Sequence, residues 1–503
     1  MQDQPELKRS LGLVDATMIV AGSMIGSGIF LVSADMARTV GSAGYLLLLW
    51  IITGVITVMA ALSYGELAGM MPNAGGQFVY IERAFGKLTS FIYGWTVFTV
   101  IQTGLIAAVG VAFANYTSIF FPELNKEIFS ISLSPLSFGG GGPAPIGASG
   151  GEVAVNLKQI LAIISILFLT FSNSRGIQYG KIIQFVFTSA KLFGLFALIV
   201  LGIAIGLKGN TLIENFHSAW DASTTTVNPD GSLNITHLAG FALVGAMGST
   251  IINSLFSADA WNNVTFIAGE IKDPKKNIPR SLFLGTMIVT ILYALANVAY
   301  LCLLPVKGDP HAADVYGMGI QFATDNRIGA AAATMIFGNV ALFIMAGLIM
   351  VSTFGCNNGL ILAGARVYYA MAKDKLFFEK AGTLNKNSVP ATALWLQGAW
   401  ASALCLSGTY KDLVAYSTFA SILFYIVTIT GIFVLRKKDP YAERPYKAFG
   451  YPVIPALYIL AALAICIILI IYDGRNTGFG LACVALGIPV YFLTVGKNKI
   501  HLQ

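Results

Sequence analysis

The segment GSMIGSGIF, residues Gly22–Phe30, decides how this chain folds. It lies inside a long apolar stretch, yet it contains three glycines and two serines within seven residues. Each glycine costs a helix about 1 kcal/mol relative to alanine, and serine side chains compete for the hydrogen bonds of the helical backbone. A second interruption lies at Asn253–Asn263, where one carboxylate and three amides stand in another apolar stretch. The sequence therefore predicts two membrane helices that break partway along their length.

The composition around these two segments is that of a membrane protein. The chain has 503 residues, of which 56% are hydrophobic and 11% charged, and its mean hydropathy is +0.73. Soluble domains carry about 25% charged residues, so lipid must surround most of this chain. The continuous apolar runs favour helices over a β-barrel. Twelve segments are predicted to span the membrane: 11–38, 43–70, 87–121, 157–173, 181–206, 238–268, 281–304, 330–372, 390–407, 412–435, 452–472 and 477–496.

The distribution of basic residues predicts the orientation of these segments. With both termini in the cytoplasm, 22 of the 31 Lys and Arg residues face the cytoplasm and eight face outward, while Lys191 falls inside a span. This excess predicts a multi-pass protein of the inner (plasma) membrane with both termini cytoplasmic. The net charge of +7 is too dilute to indicate a nucleic-acid partner. The glycine-rich outer connection, 122–156, is predicted to be a surface segment outside the functional site.

The spacing of the irregular segments predicts an inverted repeat. The two interruptions fall in the first and sixth segments, and the overlong segments are the third and eighth, so each pair is five helices apart. We therefore expect an all-α membrane protein of twelve helices with two five-helix repeats. The predicted division is a cytoplasmic N-terminus (1–10), a first repeat (11–206), a second repeat (238–435), helices 11 and 12 (452–496) and a cytoplasmic C-terminus (497–503).

A helix that breaks within the membrane provides partners for a zwitterion. The free N–H groups at one broken end suit a carboxylate, and the free carbonyls at the other suit an ammonium group. An amino acid carries both. Two simpler interpretations remain open: Gly22 and Gly26 form a GxxxG pair that packs helices together, and Asp259 lies solvated near the membrane surface.

Lys191 stands more than one turn inside the fifth segment. Either its stem reaches to the membrane surface, or its ammonium is internal and is held by carbonyls of a broken helix or by hydroxyls. Such a fixed cation would stand where other transporters bind sodium. The sequence has no catalytic motif, no metal-binding motif and no nucleotide-binding motif, so we expect neither enzymatic activity nor a cofactor.

Six motifs together identify a family. The chain resembles the L-type amino acid transporter branch of the amino acid–polyamine–organocation superfamily over residues 10–495. The motifs that carry this resemblance are Gly22–Phe30, Ala61–Leu67, Gly75–Gln77, Phe256–Arg280, Gly364–Leu376 and Glu443–Pro445.

The resemblance implies a leucine-transporter-like fold with five plus five helices, broken helices 1 and 6, and two extra C-terminal helices. It also implies that a substrate carboxylate binds N–H groups of the first break and that the α-amino group binds carbonyls of both breaks, with the aromatic residue of helix 6 as a gate. The predicted substrate-binding residues are Met24, Gly26, Ser27, Gly28, Phe256, Asp259 and Asn262. The predicted gating or coupling residues are Phe256, Lys191, Tyr293 and Ser352.

The function that this resemblance implies is sodium-independent exchange of neutral L-amino acids by alternating access. The protonatable Asp259 and Glu270 leave proton coupling open as an alternative, and a polyamine or cationic amino acid is a second alternative. A protein of a different class, an amino acid sensor, is a third. The segment Ser257–Ala260 departs from the family pattern and leaves the side-chain preference open. The outer connection 122–156 has no cysteine, so no disulfide-linked heavy subunit is expected; the expected partners are an amino acid and the lipid bilayer.

Overall fold

The computed structural model describes residues 7–132, 152–228, 230–406, 410–472 and 474–500. Ten helices in these residues are long and apolar enough to cross a membrane, so the chain is a multi-pass membrane protein. In chain order, the α-helices are α1 (Leu13–Met24), α2 (Val32–Val40), α3 (Ala43–Met70), α4 (Gln77–Phe85), α5 (Lys87–Thr96), α6 (Gln102–Thr117), α7 (Leu157–Ser174), α8 (Ile177–Gly206), α9 (Thr211–His217), α10 (Gly240–Ser257), α11 (Asn263–Phe266), α12 (Pro274–Leu303), α13 (Val315–Met318), α14 (Ile328–Phe337), α15 (Ala341–Lys373), α16 (Ala391–Leu404), α17 (Tyr410–Lys438), α18 (Val453–Tyr472) and α19 (Gly474–Ile500).

The first predicted span is interrupted where the glycines and serines cluster. Helix α1 ends at Met24, and Ile25 is extended, with φ −78° and ψ 93°. A single 3-10 turn, Gly28–Phe30, follows, and α2 begins after it. Because α1 has only 12 residues, it is too short to span a bilayer by itself.

The sixth predicted span is interrupted in a comparable way. Helix α10 ends at Ser257, and helical structure resumes at Asn263 in the one-turn helix α11. Between them Ala260 has φ +64°, a left-handed conformation that is rare for a residue with a Cβ atom. The interruption therefore places Asp259 in irregular backbone between two helices.

The two overlong spans contain irregular turns of their own. A π-helical turn, Val97–Ile101, joins α5 to α6. Gly338, with φ +65°, separates α14 from α15, and a 3-10 turn follows it. These turns change the direction of the helix, which lets each element be longer than the bilayer thickness requires.

The membrane-spanning part is α-helical, and two features differ from the sequence-based expectations. Helix α16 has 14 residues, about 21 Å, and is shorter than the predicted span 390–407. Two antiparallel hairpins that were not predicted lie in the connections: β1 (Glu127–Ser132) with β2 (Glu152–Asn156), and β3 (Ser223–Val227) with β4 (Leu233–His237). Hydropathy did not predict the hairpins because they lie outside the apolar spans, in polar segments rich in β-branched residues. The glycine-rich part of the outer connection 122–156 lies outside the described residues.

Long helices surround the two broken ones. Helix α1 packs against α8, α12 and α15, and α10 packs against α2, α3, α17 and α18. Polar side chains near the breaks are buried by this arrangement, which sets up the site described next.

Candidate functional site

The two breaks touch each other. The hydroxyl of Tyr293, on α12, lies 3.1 Å from the carbonyl oxygen of Met24 and 3.0 Å from that of Ser257, so it can donate a hydrogen bond to either break. Gly28 packs directly on Ser257: a Cβ atom at position 28 would lie 2.7 Å from Ser257 Cβ and even closer to its Oγ. Only glycine allows this approach without a shift of the backbone.

A small cavity lies between the breaks. Its volume is about 20 Å³, which is enough for a single water molecule. Most of the wall comes from the two breaks themselves, and apolar side chains of α6 and α15 close it. The residues that line the cavity are Ser23, Met24, Gly26, Ser27, Gly28, Leu105, Val109, Phe256, Ser257, Asp259, Ala260, Cys356 and Leu360. An amino acid therefore requires these walls to move apart.

Phe256 separates this cavity from a much larger one. A vestibule of about 740 Å³ extends from Phe256 past the ends of α6 and α2 to the connection at Asp325–Arg327. Phe256 lines both spaces and is buried. Phe256 is therefore the residue at which the vestibule and the small cavity come closest to sharing a wall.

The first break leaves two N–H groups without a partner inside its turn, whereas the carbonyls at both breaks are hydrogen-bonded. The 3-10 turn begins with a hydrogen bond from Phe30 N–H to Ser27 O of 3.0 Å, so the N–H groups of Gly28 and Ile29 have no partner inside the turn. The carbonyls have partners: Met24 O accepts from Gly26 N–H as well as from Tyr293, and Phe256 O accepts from Asp259 N–H. An incoming ammonium group would share or replace these bonds.

Lys191 lies against the first break and is fully buried. Its Nζ donates to Gly22 O at 2.5 Å and to Ile25 O at 2.6 Å, and it lies 3.4 Å from Ser352 O. The Ser352 hydroxyl lies within hydrogen-bond distance of the carbonyls of Ile25 and Gly26. The ammonium therefore neutralises the negative C-terminal end of α1. The structure places the Lys191 ammonium inside the protein, against the first break.

Asp259 is 6% exposed and lies between α10 and α17. Its Oδ1 accepts a hydrogen bond of 2.5 Å from the Tyr425 hydroxyl, which also lies 3.2 Å from Asn262 Oδ1. Asn262 Nδ2 in turn donates to Gln77 Oε1 at 2.8 Å. Asp259 Oδ2 has no hydrogen-bond partner among the described residues. Asp259 also lines the small cavity, so its carboxylate is a candidate group for contact with a ligand.

Three residues of the site were not predicted. Tyr425 holds Asp259, Gln77 holds Asn262, and the thiol of Cys356 donates to Ser23 O at 3.0 Å. Gln77 lies in one of the quoted motifs, which was the available signal. Cys356 and Tyr425 each lie in an apolar stretch far along the chain from the residue they bond, so neither offered a local signal.

A buried ion pair between Glu270 and Arg366 lies just beyond the second break. Arg366, on α15, donates to both carboxylate oxygens of Glu270, at 2.9 and 3.3 Å, and both side chains are at most 1% exposed. The N–H groups of Ser10 and Leu11 donate to the backbone carbonyl of Glu270. Glu270 therefore connects the N-terminal segment, the second break and α15.

The part of the chain that the structure describes contains no group of three or more His, Cys, Asp or Glu side chains able to hold a metal ion. The chemistry that the described site supports is recognition of a small polar molecule by backbone groups, one buried carboxylate and apolar walls.

Comparisons with known proteins agree with this geometry. The chain is 29% identical to the large neutral amino acids transporter small subunit 2 of Homo sapiens, over 97% of this chain and 81% of the relative. It is 28% identical to the serine/threonine exchanger SteT of Bacillus subtilis (strain 168), over 97% of both chains. It is 26% identical to the b(0,+)-type amino acid transporter 1 of Mus musculus, over 97% of this chain and 88% of the relative. The family model described as amino acid permease matches residues 11–492, nearly the whole chain, and this protein therefore belongs to the amino acid permease family.

Proposed function

We propose that this protein is a secondary transporter that exchanges neutral L-amino acids across the plasma membrane by alternating access and without sodium. The observation that carries the proposal is the meeting of two helix breaks around one small cavity. Membership of the permease family and relatives named as amino acid transporters and exchangers support transport, and they make the chain a transporter rather than an enzyme.

The substrate's two charged groups would bind to backbone. Its carboxylate would bind N–H groups of Gly26, Ser27 and Gly28, at the positive end of the turn that leads into α2, with Gly26 N–H giving up its bond to Met24 O. Its ammonium group would bind the carbonyls of Met24 and Phe256, with Tyr293 giving up its contact to Met24 O. Backbone groups recognise these shared features of every amino acid, so the side chain has to be selected elsewhere.

The side-chain wall favours a neutral substrate. Leu105, Val109 and Leu360 face the cavity, and Phe256 closes it toward the vestibule. Apolar walls stabilise an apolar side chain by about 25 cal/mol per Å² of surface buried. A charged side chain would lose its hydration here without full compensation.

The position of Lys191 supports the proposal of sodium independence. Its ammonium already binds the carbonyls of Gly22 and Ile25, the kind of oxygen ligands that a sodium ion would need at a broken helix. Ser352 holds the neighbouring carbonyls of the same break. Because the Lys191 ammonium already supplies the positive charge at these carbonyls, a transported sodium ion is not needed there.

The proposal includes the twelve-helix fold with two inverted five-helix repeats, 11–206 and 238–435, followed by helices 11 and 12 (452–496). It also includes cytoplasmic termini, at residues 1–10 and 497–503, which puts the vestibule on the outer side of the membrane. Alternating access would then consist of movement of the two broken helices, with Phe256 as the outer gate. The expected partners are the amino acid and the bilayer. No nucleic-acid partner is expected, because the net charge of +7 is too dilute. No disulfide-linked subunit is expected, because residues 122–156 contain no cysteine.

One observation favours a second candidate substrate class. Asp259 lines the cavity, and its buried Oδ2 has no hydrogen-bond partner among the described residues. An anionic oxygen in this position would be stabilised by a cationic side chain or by a proton. A cationic amino acid or polyamine, or proton-coupled transport, is therefore the alternative to neutral exchange.

A thermal-shift panel on the purified protein tests the two candidates. A ligand that binds only the folded protein raises its stability by about 2.7 kcal/mol at 100 times Kd, so binding is measurable as a rise in Tm. We expect L-leucine or L-serine to raise the Tm, and leucinol, which lacks the carboxylate, to leave it unchanged. A rise with L-lysine or putrescine alone would replace the neutral candidate by the cationic one.

A further inference from the structure

A separate groove lies where α12 begins, away from the cavity between the breaks. Its volume is about 680 Å³. Leu62 of α3 lies in it, one side is the first three turns of α12, and the other side is the connection between α17 and α18 at Pro445–Phe449. The basic-residue distribution assigns this end of the molecule to the cytoplasm. No residue of the groove lines the site described above.

The groove is strongly basic. Four cationic side chains line it (Lys275, Lys276, Arg280 and Lys447), and none of its lining residues is acidic. Lys275 bonds Glu443, just outside the groove, at 2.8 Å. The other three cations take part in none of the ion pairs formed among the described residues. A concentration of positive charge without matching carboxylates attracts an anion.

The groove also has an apolar side that continues along α12. Phe283 lines the groove one turn after Arg280, and the apolar residues that follow at helical spacing are exposed by 38–51%: Phe283, Leu284, Ile288, Ile291 and Leu295. From Arg280 to Leu295 the helix rises about 22 Å, which exceeds the depth of one leaflet, about 15 Å. In a membrane protein this stripe faces lipid chains.

We propose that this groove binds an anionic glycerophospholipid of the cytoplasmic leaflet. The phosphate diester lies among Lys276, Arg280 and Lys447, and an acyl chain lies along Phe283 and the stripe that follows it. Basic pockets at the cytoplasmic ends of membrane helices bind such headgroups. A free phosphate would satisfy the charges but leave the continuous apolar side unused, whereas a phospholipid matches both.

A lipid in this groove connects two parts of the fold. Helix α12 follows the second break closely, and Pro445–Phe449 follows α17, the helix that carries Tyr425. A headgroup that binds Arg280 and Lys447 together holds these elements at a fixed separation. The expected consequence is a more stable protein in the presence of the lipid.

Lipid titration of the purified full-length protein tests the proposal. In dodecyl maltoside, dioleoyl phosphatidylglycerol is added, and the Tm and the lipid adducts in native mass spectrometry are measured. Dioleoyl phosphatidylcholine has the same chains without net charge, and glycerol phosphate has the charge without chains. We expect phosphatidylglycerol alone to bind and to raise the Tm. An equal effect of phosphatidylcholine would overturn charge recognition, and an equal effect of glycerol phosphate would overturn lipid recognition.

Variants locate the binding. K276Q/R280Q removes two cations and should weaken phosphatidylglycerol binding about 30-fold, since each basic residue near an anionic lipid contributes a factor of about five. K380Q/K386Q removes two exposed cytoplasmic-side lysines outside the groove and should bind as the wild type does. Glu443→Gln frees Lys275 and should strengthen binding several-fold, a gain that misfolding cannot produce. Wild-type affinity in both K276Q/R280Q and Glu443→Gln would place the lipid elsewhere and refute the proposal.

Discussion

Gly28→Ala should nearly abolish exchange, because position 28 has no room for a methyl group. The new Cβ would lie 2.7 Å from Ser257 Cβ, where two carbon atoms prefer 3.5–4.0 Å. The breaks would have to separate by about 1 Å to relieve this overlap. Overpacking of this kind costs about 1–3 kcal/mol, which lowers the population of the state in which the two breaks are in contact about 5- to 150-fold.

A second substitution tests whether Ser257 is the cause. Ser257→Gly removes both atoms that overlap most, Oγ and Cβ, and leaves Ser257 Cα at 3.1 Å from the new methyl group. The double variant, Gly28→Ala with Ser257→Gly, should therefore recover part of the lost activity. The assay is exchange of a labelled amino acid in proteoliposomes, normalised to the amount of inserted protein.

A matched glycine substitution controls for general effects. Gly347, within α15, has only Phe120 Cζ near its would-be Cβ, at 3.9 Å. Gly347→Ala should fold and exchange like the wild type, since alanine favours the helix. Two results would refute the reasoning: full exchange by Gly28→Ala, or a double variant as inactive as Gly28→Ala despite equal insertion.

Four further substitutions test other parts of the site. Lys191→Met keeps the apolar stem but leaves the carbonyls of the first break without their cation, which costs about 1–3 kcal/mol of hydrogen-bond energy. Turnover in proteoliposomes should fall at least about tenfold. An unchanged rate would contradict this role of Lys191. Phe256→Ala should raise the KM for L-leucine about tenfold, because a buried aromatic wall is lost; an unchanged KM would exclude this side chain as a wall. Glu270→Gln leaves Arg366 buried and unpaired, so the free energy of unfolding should fall by about 3–5 kcal/mol, measured as a lower Tm in detergent; an unshifted Tm would show that the pair is not needed. Asp259→Asn keeps an acceptor for the tyrosine hydroxyl, and neutral exchange should change by less than about threefold, whereas inhibition by L-lysine should disappear if a cation binds there.

The helix breaks could be predicted because their cause is local. Three glycines and two serines weaken α1 wherever it is placed, and the amides and carboxylate near residue 260 mark α10 in the same way. The lysine inside the fifth segment was also visible, since a charge in an apolar run is unusual. Its partners were left open between carbonyls and hydroxyls, and the structure shows that its Nζ donates to the carbonyls of Gly22 and Ile25.

The partners that complete the site could not be predicted, because they come from distant parts of the chain. Tyr425 bonds Asp259 across 166 residues, and Asn262 bonds Gln77 across 185. The hydrophobic periodicity of one segment contains no information about a contact with a distant segment. The length of the ninth predicted span, 390–407, was overestimated for a different reason. Hydropathy shows where a run of apolar residues ends, whereas helix α16 ends earlier, at Leu404.

Counterflow in proteoliposomes tests the central claim most directly. Vesicles are loaded with one unlabelled amino acid at a time, and uptake of a labelled neutral L-amino acid is followed with and without sodium and a pH gradient. We expect uptake that requires internal amino acid and is insensitive to both gradients. Uptake into empty vesicles driven by either gradient would contradict the exchange mechanism and establish a coupled transporter in its place.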